Sequence, residues 1–332
     1  MQKTIILGTD LHGEPTELAS KTVNNLRRKI DNYQIISIQN RKPFKKQEHI
    51  SIIPKLTKIN SIRKLVQSII LPIKLALCRL SGYNQILSFW STNSSYHKYL
   101  FKFLNFLRYK IKFVVITEQI NLSVLAECEQ IICQSERMKS YLLKSFPESK
   151  ISLVYPSVNL SLFKPSKKIN PLLIPSVPYD VKDFKERGID LILEFIKKNK
   201  ISSKIIFRSD ESYNYVKSLN LENSELINKT LDNKELSKIM SQSCVIPLIY
   251  TKNAPDMPYS AIEGMASGCA IVCSDKMGIS GIIKKENAGI VIEDISQLEN
   301  AIKSAIKSKT FQKNARKTAE KYFNENNLKT LV

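Results

Sequence analysis

Apolar residues in this chain fall into short runs separated by longer amphipathic stretches, and the two kinds of segment alternate. That alternation predicts parallel sheets covered by helices on both faces. Thr4 to Gly8 reads as a buried first strand. Behind a polar loop over 10–15, Leu18, Thr22, Val23 and Leu26 keep helical spacing through residues 17–29. Further strands are expected at 34–38, 85–90, 113–117, 129–134 and 151–155, while residues 40–58 read as basic and irregular. Residues 62–80 predict an amphipathic helix that Pro72 would kink. A second helix over 96–109 places Tyr99, Leu100, Phe103, Leu104 and Leu107 at core spacing and His97 at the surface. Ser135 is the expected N-cap of a helix over 136–144.

The alternation restarts after the polar, proline-bracketed segment Phe163 to Pro171, the best domain boundary in the chain. Strands follow at 172–175, 204–208, 245–250, 270–274 and 289–292. Helices follow at 189–198, 232–240, 296–306 and 310–323, with Asp232 and Glu235 spaced as a capping box. A chain of 332 residues fits two domains of ordinary size.

Charge changes the picture. The net charge is +21, and residues 1–165 hold 25 Lys/Arg against 10 Asp/Glu. His49 to Thr117 contains 11 basic residues and no acidic one. Such a field favours an anionic partner: a membrane surface, a nucleic acid or a phosphorylated substrate. The bland alternative is a lysine-rich background shifting every surface. Nucleic acid is not expected, because no DNA- or RNA-binding motif accompanies the charge.

The longest apolar stretch, Leu65 to Leu80, is interrupted by Gln67, Ser68, Pro72, Lys74 and Arg79, so it is not expected to span a bilayer. Met1 to Thr9 does not read as a signal peptide, which makes a soluble, cytoplasmic protein the expectation. Six cysteines lie mostly inside apolar runs and read as reduced core residues. With no C-x-x-C and three histidines, no metal site is expected.

The informative stretch runs from Ala254 through Pro258-Tyr259-Ser260-Ala261-Ile262-Glu263-Gly264-Met265-Ala266-Ser267-Gly268 to Asp275. Pro258 suits the first position of a helix about ten residues long, and Gly268 suits its left-handed exit before a buried strand. The helix opens at the carboxyl end of a parallel sheet, where doubly wound folds bind ligands. Amides of Tyr259, Ser260 and Ala261 would seat a diphosphate, and Glu263 would accept hydrogen bonds from sugar hydroxyls. On spacing alone, an ordinary helix with Glu263 facing solvent fits equally well.

The same stretch resembles the signature of the retaining, GT-B-fold glycosyl transferases group 1 family: proline, a Glu-x-Met-Ala-x-Gly helix, then a strand ending Ser-Asp. Other segments match in order. Cys133-Gln134-Ser135-Glu136 resembles the family's strand-to-helix step, Phe163-Lys164-Pro165 its interdomain crossing, Arg187-Gly188-Ile189 its Lys-Gly helix start, and Asn287-Ala288-Gly289 its late strand. The resemblance implies an α/β, GT-B architecture of two Rossmann-like domains whose parallel sheets face across a cleft. Residues 1–165 would bind acceptor and 166–315 the nucleotide sugar, with 316–332 a terminal helix crossing back to the first domain. Glu263 would hold the donor, Arg187 its diphosphate, and Lys185 would assist. No Asp-x-Asp occurs, in keeping with metal-independent transfer and no cofactor beyond the donor substrate.

Three departures mark the chain. Pro255 stands at the family's first motif glutamate, leaving Asp256 as the nearest substitute. Lys182 is the stand-in for an arginine usual after the first C-domain strand. Thr117-Glu118-Gln119 replaces a histidine near the reacting sugar, with Glu118 or Gln119 in its role. His12 and Gly13, in the first loop, are candidates for acceptor or diphosphate contact, or a plain loop. The acceptor expected from all this is a glycan or lipid-linked carrier in cell-envelope polysaccharide synthesis, reached by peripheral attachment to the inner membrane face. Rival readings are a nucleotide-sugar epimerase on the same fold and a catalytically silent binding module.

Overall fold

The computed structural model describes residues 3–8, 21–23, 26, 32–37, 49–51, 60–89, 95–116 and 121–331. The chain divides into two compact units: Met1–Ser157 with Glu325–Val332, and Val158–Asn324.

The first unit is built on strands β1 (Thr4–Gly8), β2 (Tyr33–Ser37), β3 (His49–Ser51), β4 (Gln85–Ser88), β5 (Lys110–Val114), β6 (Gln130–Cys133) and β7 (Ile151–Leu153). They form one sheet in the order β3-β2-β1-β4-β5-β6-β7, every pairing parallel. Strand β3 lies inside the stretch read as irregular; only three residues long, it gives too short a run for a period-2 pattern to register. Between strands run α1 (Asn60–Leu80), α2 (Ser95–Phe106), α3 (Leu122–Leu125) and α4 (Glu136–Leu142). Helix α1 continues through Pro72. Ser135 caps α4 as expected, its hydroxyl accepting from Met138 N at 3.0 Å.

One face of this sheet packs Ile5, Leu7, Ile86, Ile111 and Phe113 against Leu71, Leu75 and Cys78 of α1 and Leu100, Phe101 and Leu104 of α2. His97 is buried on the same stripe of α2 rather than at its surface, since positions 97, 100, 101 and 104 share one helical face. Tyr99, expected in the core, is instead exposed on the opposite side. The other sheet face gathers Ile6, Ile35, Leu87, Val114 and Ile132 with Val23, Leu26, Leu328 and Leu331. The last residues of the chain therefore complete the core of the first unit.

The second unit has β8 (Asn170–Ile174), β9 (Ser203–Ile206), β10 (Ser224–Ile227), β11 (Ser243–Leu248), β12 (Ala270–Ser274) and β13 (Gly289–Ile292). Their order is β10-β9-β8-β11-β12-β13, again all parallel. The connecting helices are α5 (Ile189–Asn199), α6 (Asp210–Ser218), α7 (Asn233–Ser241), α8 (Tyr259–Ala266), α9 (Ser280–Glu286), α10 (Leu298–Lys307) and α11 (Lys309–Tyr322). The Asp232–Glu235 capping box opens α7 as the spacing predicts. Helices α6 and α9 and strand β10 had no counterpart in the sequence reading: α6 is largely polar, and none of its turns shows a continuous apolar stripe.

The division after Ser157, against a boundary expected at 165, follows from where residues 158–165 bond. Val158 N donates to Phe323 O at 2.8 Å, and Phe163 O accepts from Arg316 Nη1 at 2.7 Å, both in the second unit.

Helix α8 is eight residues long, not ten, and Pro258 precedes it as N-cap in an extended conformation (φ −69°, ψ 131°) rather than occupying its first turn. Its exit is the expected one. Gly268 is left-handed at φ +72°, its N–H donates to Met265 O at 2.9 Å, and Cys269 N–H donates to Gly264 O at 2.8 Å. These are the two bonds of a Schellman termination. A Cβ at Gly268 would lie 3.1 Å from the ring of Pro165. Gly268→Ala should therefore destabilise the second unit by more than about 1 kcal/mol. The check is the midpoint of urea unfolding, which would stay at the parent value if the glycine were incidental.

Candidate functional site

Strand order fixes where the second unit can bind a ligand. From β8 the chain winds outward through β9 and β10, then returns to β11 on the other side of β8 and winds away through β12 and β13. The winding reverses between β8 and β11, and the loops leaving their carboxyl ends part to leave a crevice. The loop after β8 carries Lys182, Lys185 and Arg187. The loop after β11 carries Asp256 and Pro258 and leads into α8.

Short-range bonds tie these loops together. Thr251 N–H donates to Glu186 O at 2.9 Å, and its hydroxyl to Lys185 O at 3.1 Å. Asn253 Nδ2 donates to Glu186 Oε1 at 2.7 Å. The loop after β12 joins from the other side: Lys276 Nζ donates to Thr251 O at 2.9 Å, and Tyr250 N–H to Ser274 Oγ at 3.2 Å. Loops held this way can position side chains with little freedom left to lose on binding.

Glu263 lies within α8 at 4% exposure, which rejects the solvent-facing alternative. All of α8 except Ser260 is buried, so this helix is an interior element and not an amphipathic cover. Asp256 is buried too, at 2% exposure. Its carbonyl accepts from Ile279 N at 3.0 Å, and its carboxylate presses so closely on Gly278 that any Cβ there would overlap Oδ1. The glycine in the loop after β12 is thus required by Asp256. At the helix mouth, Ala261 N–H donates to Pro258 O at 3.1 Å. That bond removes Ala261 from the expected anion seat. The first turn folds tighter than an ideal α-turn and uses its own third amide.

Arg187, Lys185 and Lys182 are exposed. Lys182 pairs with Asp180 at 2.9 Å, and the hydrogen bond pushes its ammonium above the usual lysine range. An already partnered lysine is a poor substitute for the missing arginine. A further candidate is Arg208, expected from sequence to lie inside a strand. It follows Phe207 at the carboxyl end of β9, next to β8 in the sheet, just before Ser209 caps α6. Burial pushes the Tyr250 hydroxyl up, and Arg187 and Arg208 both pull it back. The two guanidinium groups, from different loops, are thus both within electrostatic reach of Tyr250. His12, Gly13, Glu118 and Gln119 lie outside the described residues. Among the described residues no three His, Cys, Asp or Glu side chains cluster as a metal site. All six cysteines are free, with Cys244 alone not fully buried.

The far end of α8 is equally organised. Arg316, from α11, donates through Nη1 to Ala266 O at 2.7 Å as well as to Phe163 O. Lys168 Nζ donates to Ser267 O at 2.8 Å, and burial pushes its ammonium below the usual lysine range. Two cations thus meet the negative end of the helix, leaving its positive end toward the crevice. Neither residue stood out in the sequence, because both lie far from α8 along the chain.

Residues 182–322 match the model of the family described as glycosyl transferases group 1. The match lies within the second unit and does not extend into the first. The fold is GT-B, and solved structures match nearly the whole length of the chain. The sucrose-phosphate synthase of Thermosynechococcus elongatus matches at TM-score 0.75 and 17% identity, covering 98% of this chain and 96% of that one. HepE of Anabaena, solved with UDP, matches at 0.73 and 13%, covering 99% and 98%. A glycosyltransferase of Rickettsia africae matches at 0.70 and 14%, covering 98% and 96%. No curated protein sequence matches the chain.

Replacing Arg316 by Met keeps the apolar stem of the side chain but strips the donor from the carbonyls of Ala266 and Phe163. A loss of about 2 kcal/mol is expected, in the range for hydrogen bonds to charged groups. Urea unfolding of parent and Arg316→Met measures it.

Proposed function

We propose that this glycosyltransferase takes a sugar from a nucleotide-sugar donor and passes it, with retained configuration and without a metal ion, to a glycan or lipid-linked acceptor. The observation that carries this reading is the sheet order, which brings to the carboxyl ends of β8, β9 and β11 the start of α8 with its buried Glu263 and the loops bearing Arg187 and Arg208. Support for the donor class comes from HepE, solved with UDP and with UDP-glucose.

In this reading Arg187 and Arg208 grip the diphosphate, with Lys185 adding charge and Ser260 and Tyr259 at the helix mouth. Glu263 accepts hydrogen bonds from donor hydroxyls. Asp256 sets the wall in which Glu263 and the loop after β12 sit. The bond from the anomeric carbon to the phosphate oxygen breaks as the acceptor oxygen approaches from the same face. The acceptor proton passes to the departing phosphate oxygen. The charge growing on the diphosphate is what the basic side chains and the helix terminus stabilise, work that does not call for a cation. His12, Gly13 and Glu118 are the acceptor-side candidates of the first unit. The enzyme works on the inner membrane face as a peripheral protein; no helix among the described residues is long and apolar enough to cross a bilayer.

A thermal-shift screen of UDP, GDP, ADP and CMP with their sugars tests the donor site. Ligand at about 100 times its Kd adds about 2.7 kcal/mol, a readable shift. One nucleotide should stabilise the parent, and Glu263→Gln, Arg187→Ala and Arg208→Ala should each weaken its affinity at least tenfold. Arg208→Ala binding as tightly as the parent would remove Arg208 from the site. No response to any nucleotide would sink the transfer reading. Chelator-treated enzyme should retain its rate, and the product's anomeric proton, followed by NMR, should keep the donor's configuration.

A further inference from the structure

Helix α1 shows its apolar surface on two sides. Leu71, Leu75 and Cys78 face the sheet, while Ile69, Ile70, Ile73, Leu77 and Leu80 stand exposed, Leu80 at 85%. Positions 69, 73, 77 and 80 recur at the helical repeat, on the side of α1 turned away from the core. Helix α2 repeats the arrangement. His97, Leu100, Phe101 and Leu104 turn inward, and Tyr99 and Phe106 are 70% and 80% exposed on the outer side. The two helices pack side by side on one face of the same sheet. Arg79 Nε donates to Leu107 O at 2.9 Å, and the Tyr109 hydroxyl to Leu75 O at 2.6 Å, which locks them in that relation. Their outer sides therefore form one surface, aliphatic along α1 and aromatic along α2.

An exposed patch of this kind needs an occupant. Its charge says which. Lys74 and Arg79 flank the stripe on α1, Lys98 and Lys102 flank the aromatics on α2, and the whole segment 49–117 contains no acidic residue. A second copy of the chain would bring two positive surfaces together, and a nucleic acid would leave the aliphatic stripe without a role. An anionic bilayer satisfies both parts, taking aliphatic side chains below the headgroups and lysines among them. From Ile69 to Leu80 the stripe extends roughly 17 Å at the helical rise, too short to span and suited to lying in the interface plane.

We propose that α1 and α2 seat this chain on anionic membrane, with Ile69, Ile73, Leu77 and Leu80 entering the acyl boundary and Tyr99 and Phe106 at headgroup level. The inference rests on the reading of a peripheral enzyme serving a lipid-linked acceptor, and names the surface that does it.

The test is co-sedimentation with phosphatidylcholine vesicles containing roughly one-third phosphatidylglycerol, a strongly negative surface. The parent should be retained, and Ile73→Glu with Leu77→Glu should reduce retention at least tenfold at unchanged melting temperature. Tyr99→Ser with Phe106→Ser, on the other helix, should also reduce it, which keeps the test valid if the first pair misfolds. Retention unchanged in both pairs would show that charge alone binds and would overturn the insertion. Concentration-dependent dimers that both pairs dissolve, without vesicle retention of the parent, would overturn it in favour of self-association. UDP-glucose binding, read by thermal shift in the same variants, is expected to match the parent. Parent protein that is retained through these residues but answers to no nucleotide would leave the membrane seat standing and remove the transfer reading.

Discussion

A helix buried on nearly every side must satisfy the carbonyls at its closed end before its open end can be put to use. Helix α8 meets that constraint with two residues that come from distant parts of the chain, Lys168 from the segment before β8 and Arg316 from α11. A buried carbonyl left without a donor costs about as much as a lost hydrogen bond, and a buried cation without a partner costs more. Each solves the other's problem here. The same contacts draw Phe163 and α11 into the second unit, so the termination of one eight-residue helix organises both the start and the end of that unit. At the open end, α8 starts from the loop after β11, at the same edge of the sheet as the loops that carry the two arginines.

Much of this was legible in sequence, and the parts that were not share a cause. Strands β12 and β13 fall where the apolar runs place them, and the α8 exit is announced by Gly268 because only a left-handed residue closes a helix that way. Glu263, Arg187 and Asp256 could be singled out because motif and helix start lie close in sequence. What sequence hid was the phase of α2: apolar positions occur on both sides, Leu100, Phe101 and Leu104 inward and Tyr99 and Phe106 outward, and the buried imidazole of His97 shows which side is the inner one only in three dimensions. Arg208 was hidden for a similar reason. Its candidacy comes from β9 lying beside β8, a fact of sheet order. Pro258 at the N-cap differs by one position from its expected place because a proline fits both, and the extended backbone there is set by the tight turn at Ala261.

The two units use the same architecture for different surfaces. In the second, the candidate site lies at the carboxyl edge of the sheet. In the first, a sheet face is covered by helices that are themselves left with exposed aliphatic and aromatic side chains under a positive field.

Leu328 and Leu331 have a consequence for synthesis. They pack with Ile6, Val23, Leu26 and Ile35, so the core begun by the first strand lacks part of its volume until the polypeptide has been made through residue 331. The second unit, contiguous from Val158 to Asn324, can close on the ribosome as an uninterrupted segment. The first must wait, carrying an incomplete apolar face through the whole of its partner's translation. Of the two units, the one whose strands are made first is thus the last to be finished.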